Sequence, residues 1–290
     1  MTRFSGGLPK PVKQLLQASA GAIALLLAPF AAPAQPAAPP AIPAQSIIHA
    51  TPAMWEIRDA DTTIYLFGTF HTLDGRTAWL DERVRGAFDK SGELILETVV
   101  PVDMTAARAA AANQMSETSA DGKRKLKPFV ASTQAVMNEG RSMGMSVENG
   151  ADAVLRRLAE GVGKPVNGLE RFEDQLKTLS NIPVPAPAAA AAAPTAPSPV
   201  VSVTVNDLLG AWTKGDTGAF SSMLQGFETK SPVAYRMLIA DRNARWGQWI
   251  ASRLDQPGVV FVAVGTGHLA GKDSVQSWLA ARGITATRVG

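Results

Sequence analysis

Two of the chain's three histidines occur in one local pattern. His71 closes "TIYLFGTFH", an apolar β-forming run that leads into Gly68-Thr69-Phe70-His71, and His268 closes "VVFVAVGTGH" with Gly265-Thr266-Gly267-His268. The third, His49, lies in a Pro/Ala-rich approach segment without that setting. Two carboxylates share the placement: Glu97 in "ELILETVV" and Glu170 just after "KPVNGL". Each of the four sits at or just past the carboxyl end of a strand candidate, which is where open parallel sheets bind ligands. Imidazoles and carboxylates gathered there can move protons or hold a divalent ion. Each also has a purely structural reading: a turn histidine satisfied by hydrogen bonds, or a glutamate in a strand-end salt bridge. Glu97 is the most demanding, because an ionised carboxylate between apolar neighbours needs a cation or donors.

The elements that must position these groups are legible as alternating patterns. Segments 63–67, 93–100, 164–169 and 258–264 are short and apolar on both faces, and helical patterns separate them. They predict an α/β fold with a central, largely parallel sheet flanked by helices, with 284–289 as an edge strand. Helices are expected near 77–90, 103–118, 127–143, 151–161, 172–180, 204–226 in two pieces, 231–253 and 273–282. In the long helix, Leu238, Ile239, Trp246, Trp249, Ile250 and Leu254 recur as one apolar face, and Arg242-Asn243 reads as part of its solvated side. Gly68 and Gly265 are expected to permit a tight turn and close backbone approach before each histidine. The string "GHLAGKDS" has the wrong glycine spacing for a phosphate loop.

Composition limits the functional classes. The 290 residues are 46% hydrophobic, enough for a sizeable core. Residues 1–34 carry Arg3, Lys10 and Lys13, an apolar stretch ending at Leu27, and Ala32-Pro33-Ala34. They read as a cleaved signal peptide, their apolar core being shorter than the roughly 20 residues that span a bilayer. That segment removes three of the 28 Lys and Arg and none of the 25 Asp and Glu, so the remainder is balanced. Nucleic acid is therefore not an expected partner. No cysteine is present, which excludes disulfides and thiolate metal sites. The expectation is a periplasmic protein with no stable membrane insertion after cleavage, a Pro/Ala-rich spacer at 35–53 and a folded domain over 54–290. A flexible Pro/Ala insertion at 183–199 interrupts that domain.

The blocks "MWEIRDADTTIYLFGTFHTL", "GELILET", "NGADAVLRRLAEGVGKPVNGLERFEDQLKTL", "LLGAWTKGD", "LIADRNARWGQWI" and "VFVAVGTGHLAGKDSVQSWLAARGITATRV" run in order over residues 54 to 290. Together they resemble the TraB/GumN family, which is similar to the TIKI proteases and, more distantly, to the erythromycin esterase/ChaN-like superfamily. The resemblance implies an α/β fold with both Gly-x-x-His motifs and a glutamate at one site, which in the TIKI relatives supports metal-dependent peptide hydrolysis. Position by position it marks His71, His268, Glu97, Glu170, and the pair Arg242 and Asn243. Phe70 stands where an aliphatic residue is common in the family.

Chemically, His71, Glu97 and His268 are a suitable ligand set for Zn²⁺, Mn²⁺ or Co²⁺. An open position on such an ion would activate water. Glu170 is then expected as general base or orienter, and Arg242, with Asn243 beside it, at the mouth to meet a developing oxyanion. The leading expectation is a metal-dependent hydrolase of peptide or other acyl bonds. The alternatives are a metal-independent, esterase-like hydrolase and a non-catalytic haem- or glycan-binding protein linked to exopolysaccharide production.

Overall fold

A computed structural model describes residues 46–100, 116–119, 121–127, 138, 140–182 and 204–290. Expectations for 1–34, 183–199 and most of the helices at 103–118 and 127–143 fall outside those residues. Gln45–Gly290 forms one compact unit.

The first strands are β1 (Ile48–His49), β2 (Met54–Arg58), β3 (Thr62–Thr69), β4 (Thr77–Ala78) and β5 (Glu93–Leu96). They are followed by β6 (Ser116–Thr118), β7 (Arg124–Leu126), β8 (Val166–Gly168), β9 (Gly258–Gly265) and β10 (Ala286–Arg288). The main sheet has the order β10-β2-β3-β9-β5-β8. Its central run β3-β9-β5-β8 is parallel, while β2 and β10 join antiparallel at one edge. The α/β architecture with a mostly parallel sheet is therefore present. The period-2 geometry of β3 sends Tyr65 and Phe67 to one face and Ile64 and Leu66 to the other, and all four are buried. Each face builds its own apolar layer, one around Phe67, Trp79, Trp212 and Phe261, the other around Leu66, Trp246, Ile250 and Val262. Two covered faces explain why these strands are apolar at nearly every position.

The helices are α1 (Glu82–Lys90), α2 (Ala151–Gly161), α3 (Phe172–Ser180), α4 (Val205–Thr213), α5 (Gly218–Lys230), α6 (Pro232–Tyr235), α7 (Asp241–Arg253) and α8 (Val275–Ala280). Caps set several of their starts. Asp81 accepts from Val84 N–H at α1, Thr204 and Asp207 form a capping box at α4, and Ser274 accepts from Ser277 N–H at α8. Among the described residues no helix is long and apolar enough to cross a membrane.

Several boundaries differ from expectation. Met54–Arg58, not anticipated as a strand, forms a hairpin with β3, closed where Asp59 Oδ1 accepts from the N–H groups of Asp61 and Thr62. Residues 46–53, expected as the end of an extended spacer, run against the body: β1 pairs in parallel with β4, and Ala50 and Ala53 are buried. Thr77–Ala78 is consequently strand, and the helix expected from residue 77 begins at Glu82. Residues 116–118, expected as the end of a helix, pair instead with 124–126 around Gly122, whose φ of 76° suits glycine. The strand expected over 93–100 ends at Leu96, which leaves Glu97 at its carboxyl end.

The long helix expected at 231–253 is present but not regular. A π turn, Arg236–Ala240, joins α6 to α7, and Asp241 N–H bonds to Arg236 O, five residues back. One extra residue in the ladder rotates everything after it relative to a plain α-helix. Within α7, Arg242 and Asn243 lie four and three residues before Trp246 and eight and seven before Ile250, so all four share one buried face: Arg242 is 7% exposed and Asn243 0%. The expected solvated pair is a buried one.

Candidate functional site

Strands β3 and β9 are adjacent and in parallel register, with Thr69 opposite Gly265. Their two Gly-x-x-His turns therefore leave the sheet side by side. Strand β5 lies on the other side of β9, with β8 next to it, so Glu97 and Glu170 emerge at the same end. Topology alone thus gathers four residues that lie up to 197 positions apart in the sequence.

The two glycines are needed for space rather than conformation, since neither has positive φ. A Cβ on Gly265 would lie 3.0 Å from both Glu97 Oε1 and His71 Nε2. A Cβ on Gly68 would lie 2.8 Å from Thr266 Oγ1, whose hydroxyl donates to Thr69 O. The first glycine clears the site and the second lets the two turns lie against each other.

Glu97 is the centre of the arrangement, its side chain 12% exposed. Oε1 accepts from Gly265 N–H at 2.7 Å and faces His71 Nε2 at 3.8 Å and His268 Nε2 at 3.9 Å. Oε2 accepts from Arg242 Nη2 at 2.8 Å. Burial alone would raise this carboxyl. The neighbouring His268 ring, the Arg242 guanidinium and the His71 ring, with the Gly265 N–H, outweigh burial and hold it well below the usual carboxylate range. Because His268 is itself held neutral, the compensating charge comes from Arg242 and His71.

Arg242 also donates from Nη2 to Glu170 Oε1 and places Nη1 3.3 Å from His268 Nε2. Its guanidinium stacks 4.6 Å from the Trp246 ring centroid. Arg242 was expected across the mouth, meeting an oxyanion. In the structure it is buried on the Trp246 face of α7 and ties the two glutamates together. Glu170 has Arg245 3.8 Å from its other oxygen. The structural reading of both glutamates as salt-bridge partners is met as well.

The histidines are held by different partners. Asn243 Nδ2 donates to His268 O and Asp273 O, at 3.3 and 2.7 Å, which turns its Oδ1 to His268 Nδ1 at 2.6 Å. Nδ1 must then be the donor, leaving the Nε2 lone pair toward Glu97 and Arg242. Desolvation, with the nearby Arg242 and His71 charges, lowers the His268 pKa to about 3 against the pull of Glu97. Asn243 thus sits behind the ring, away from the crevice, and positions it. His71, its side chain about half exposed, bonds through Nδ1 to Asp152 Oδ1 at 3.1 Å. Burial of the ring opposes charge, yet Asp152 and then Glu97 raise its pKa to about 9. Asp152 was not singled out in the sequence. It lies in the first turn of α2, and the only signal for it is its position two residues after Gly150, where a Cβ would meet His71 O at 2.2 Å.

Two imidazoles and a carboxylate are donors of the kind a divalent ion takes. Each imidazole is anchored through Nδ1 and turns Nε2 toward one oxygen of Glu97, which is how metal-binding histidines are oriented from behind. As they stand, no three His, Asp or Glu among the described residues meet closely enough to enclose an ion, and Arg242 Nη1 competes for His268 Nε2. Beside the imidazoles a cavity of about 300 Å³ opens between Thr69–Thr72, the Gly265–His268 turn and the apolar sides of α4 and α5.

Fold and site together define an α/β protein with paired Gly-x-x-His turns on neighbouring parallel strands, closed around a buried Glu–Arg–Glu tie. The chain belongs to the TraB/PrgY/gumN family, whose model matches residues 53–124 and 100–288. Comparisons with curated proteins and with solved structures found no match.

Proposed function

We propose that this is an exported, periplasmic, metal-dependent hydrolase of peptide or other acyl bonds, with His71, Glu97 and His268 as the ion's ligands. The observation that carries the reading is the convergence of two Nδ1-anchored imidazoles, through Nε2, on Glu97 Oε1. A bound divalent ion would polarise the scissile carbonyl and acidify a water. The chain's own residues do the rest. Asp152 and Asn243 hold the two rings and their tautomers, and the Arg242–Glu170 tie occupies Glu97 Oε2 and leaves Oε1 facing the rings.

Arg242 supports a second reading. Glu97 already has a cation, so the site is compensated as it stands, and His71 carries a proton at neutral pH that it could donate to a leaving group without any ion. Elemental analysis of untagged protein, with hydrolysis of fluorogenic peptide and ester substrates before and after chelation, separates the two. About one ion per chain is expected, lost in His71→Ala and His268→Ala, with activity lost on chelation and restored by Zn²⁺, Mn²⁺ or Co²⁺. Full activity in chelator would leave the metal-free reading, and hydrolysis of nothing with no bound ion would end both.

A further inference from the structure

We infer that the cavity beside the imidazoles is a specificity pocket for a bulky apolar group carried by the substrate next to its reacting carbonyl, such as a leucine-like or phenylalanine-like side chain. The inference rests on the hydrolytic reading above and adds the class of substrate to it.

The cavity has two unlike ends. One is polar and belongs to the site, with His71 and His268 on the edge of the space. The other is built from Val205, Leu208, Phe220, Met223, Leu224 and Ile239, contributed by α4, α5 and the π turn. No ionisable side chain lines it apart from the two imidazoles. Phe220 and Leu224 form a buried floor, whereas Leu208, Met223 and Ile239 stay partly exposed, so the space reaches the surface. At about 300 Å³ it is at the small end of ligand pockets, the size for one large side chain rather than an extended ligand.

Neither a packing defect nor a surface patch accounts for it. A void of this size in a close-packed core is costly and has no reason to abut the histidines. Apolar walls ending at a polar edge that carries both imidazoles are what selects a substrate by its side chain while its carbonyl meets the site. The same walls exclude water from one side of the crevice. The π turn contributes Ile239 to the wall.

The test measures equilibrium binding to the intact protein of N-acetyl amino-acid amides bearing Gly, Ala, Leu, Phe and Asp side chains, by calorimetry. The Leu and Phe amides are expected to bind at least tenfold more tightly than the Gly amide, and the Asp amide no better than Gly. Leu208→Trp and Met223→Trp, both at partly exposed positions, are expected to reduce the Leu preference below twofold. Equal binding across the series in the unaltered protein overturns the proposal without reference to any variant. So does a preference that both tryptophans leave intact, or a face that sedimentation shows to be covered by a second copy of the chain. A side-chain preference with no hydrolysis of the matching peptide bonds keeps the pocket and removes the hydrolase reading. Hydrolysis with no side-chain preference does the reverse.

Discussion

The two Gly-x-x-His turns are nearly identical in sequence and adjacent in space, yet they present opposite imidazoles. The His71 turn faces outward, its ring half exposed and backed by the Asp152 carboxylate, which favours a proton. The His268 turn is buried, its ring backed by the neutral Asn243 amide and pressed against Trp246 at 4.4 Å between centroids, which favours the neutral form. A motif fixes where a side chain starts; the group behind the ring decides its charge. The pair therefore gives one site an exposed, basic histidine and a buried, neutral one, with Glu97 between them.

The largest expected effect comes from removing the cation that lets Glu97 stand between the rings. Arg242→Met keeps much of the volume but leaves Glu97 and Glu170 facing each other. Removing one partner of a buried ion pair costs about 3–5 kcal/mol. Urea unfolding should show a loss of that order; a loss below about 1 kcal/mol would mean that His71 alone compensates Glu97 and that the asymmetry lies elsewhere.

Next come the glycines. Gly68→Ala presses a methyl on the buried, hydrogen-bonded Thr266 hydroxyl and is expected to cost about 1–3 kcal/mol, as overpacking does. Gly265→Ala meets only side-chain atoms of Glu97 and His71, which can yield, so it should cost less stability but displace both groups. Thermal unfolding ranks the two, and ion affinity should rank them the other way. The same order in both measurements would show that the turns are equivalent after all.

The smallest effect is the sharpest test, because the two histidines should bend the pH dependence of stability in opposite directions in chelated protein. His71 has its pKa raised from 6.5 to about 9. Its contribution is complete below about 6.5 and is lost as pH rises through about 9, because the folded form holds the extra proton. His268 has its pKa lowered from 6.5 to about 3, so its neutral burial favours folding above 6.5 and counts against it as pH falls toward 3. Glu97 adds to that acid limb. Asp152→Asn should flatten the alkaline limb and leave the acid limb in place, while His268→Gln should weaken the acid limb only. With three histidines in the chain, imidazole proton NMR can follow each ring directly. A His71 titration unchanged in Asp152→Asn would break the comparison.

Much of the frame was set by residue patterns. Continuous apolar runs at Thr62–Thr69 and Gly258–Gly265 could only be strands covered on both faces, and a polar group at the end of such a run has nowhere to go but the crevice beyond it. His71, Glu97, Glu170 and His268 were legible for that reason, and so was the α/β fold of a TraB/PrgY/gumN family member. Tertiary structure alone decided the rest. Asp152 is an ordinary first-turn carboxylate until the chain brings Gly150 under His71. Arg242 and Asn243 share the 3.6-residue face of Trp246 and Ile250, but only the packed neighbours Glu97, Glu170 and His268 make a buried cation and amide tenable there. The charge of each imidazole depends on which element packs behind it. Local sequence sets strand ends through patterns that act within a few residues, whereas burial, partner charge and the space each glycine clears come from contacts 25 to 198 residues away.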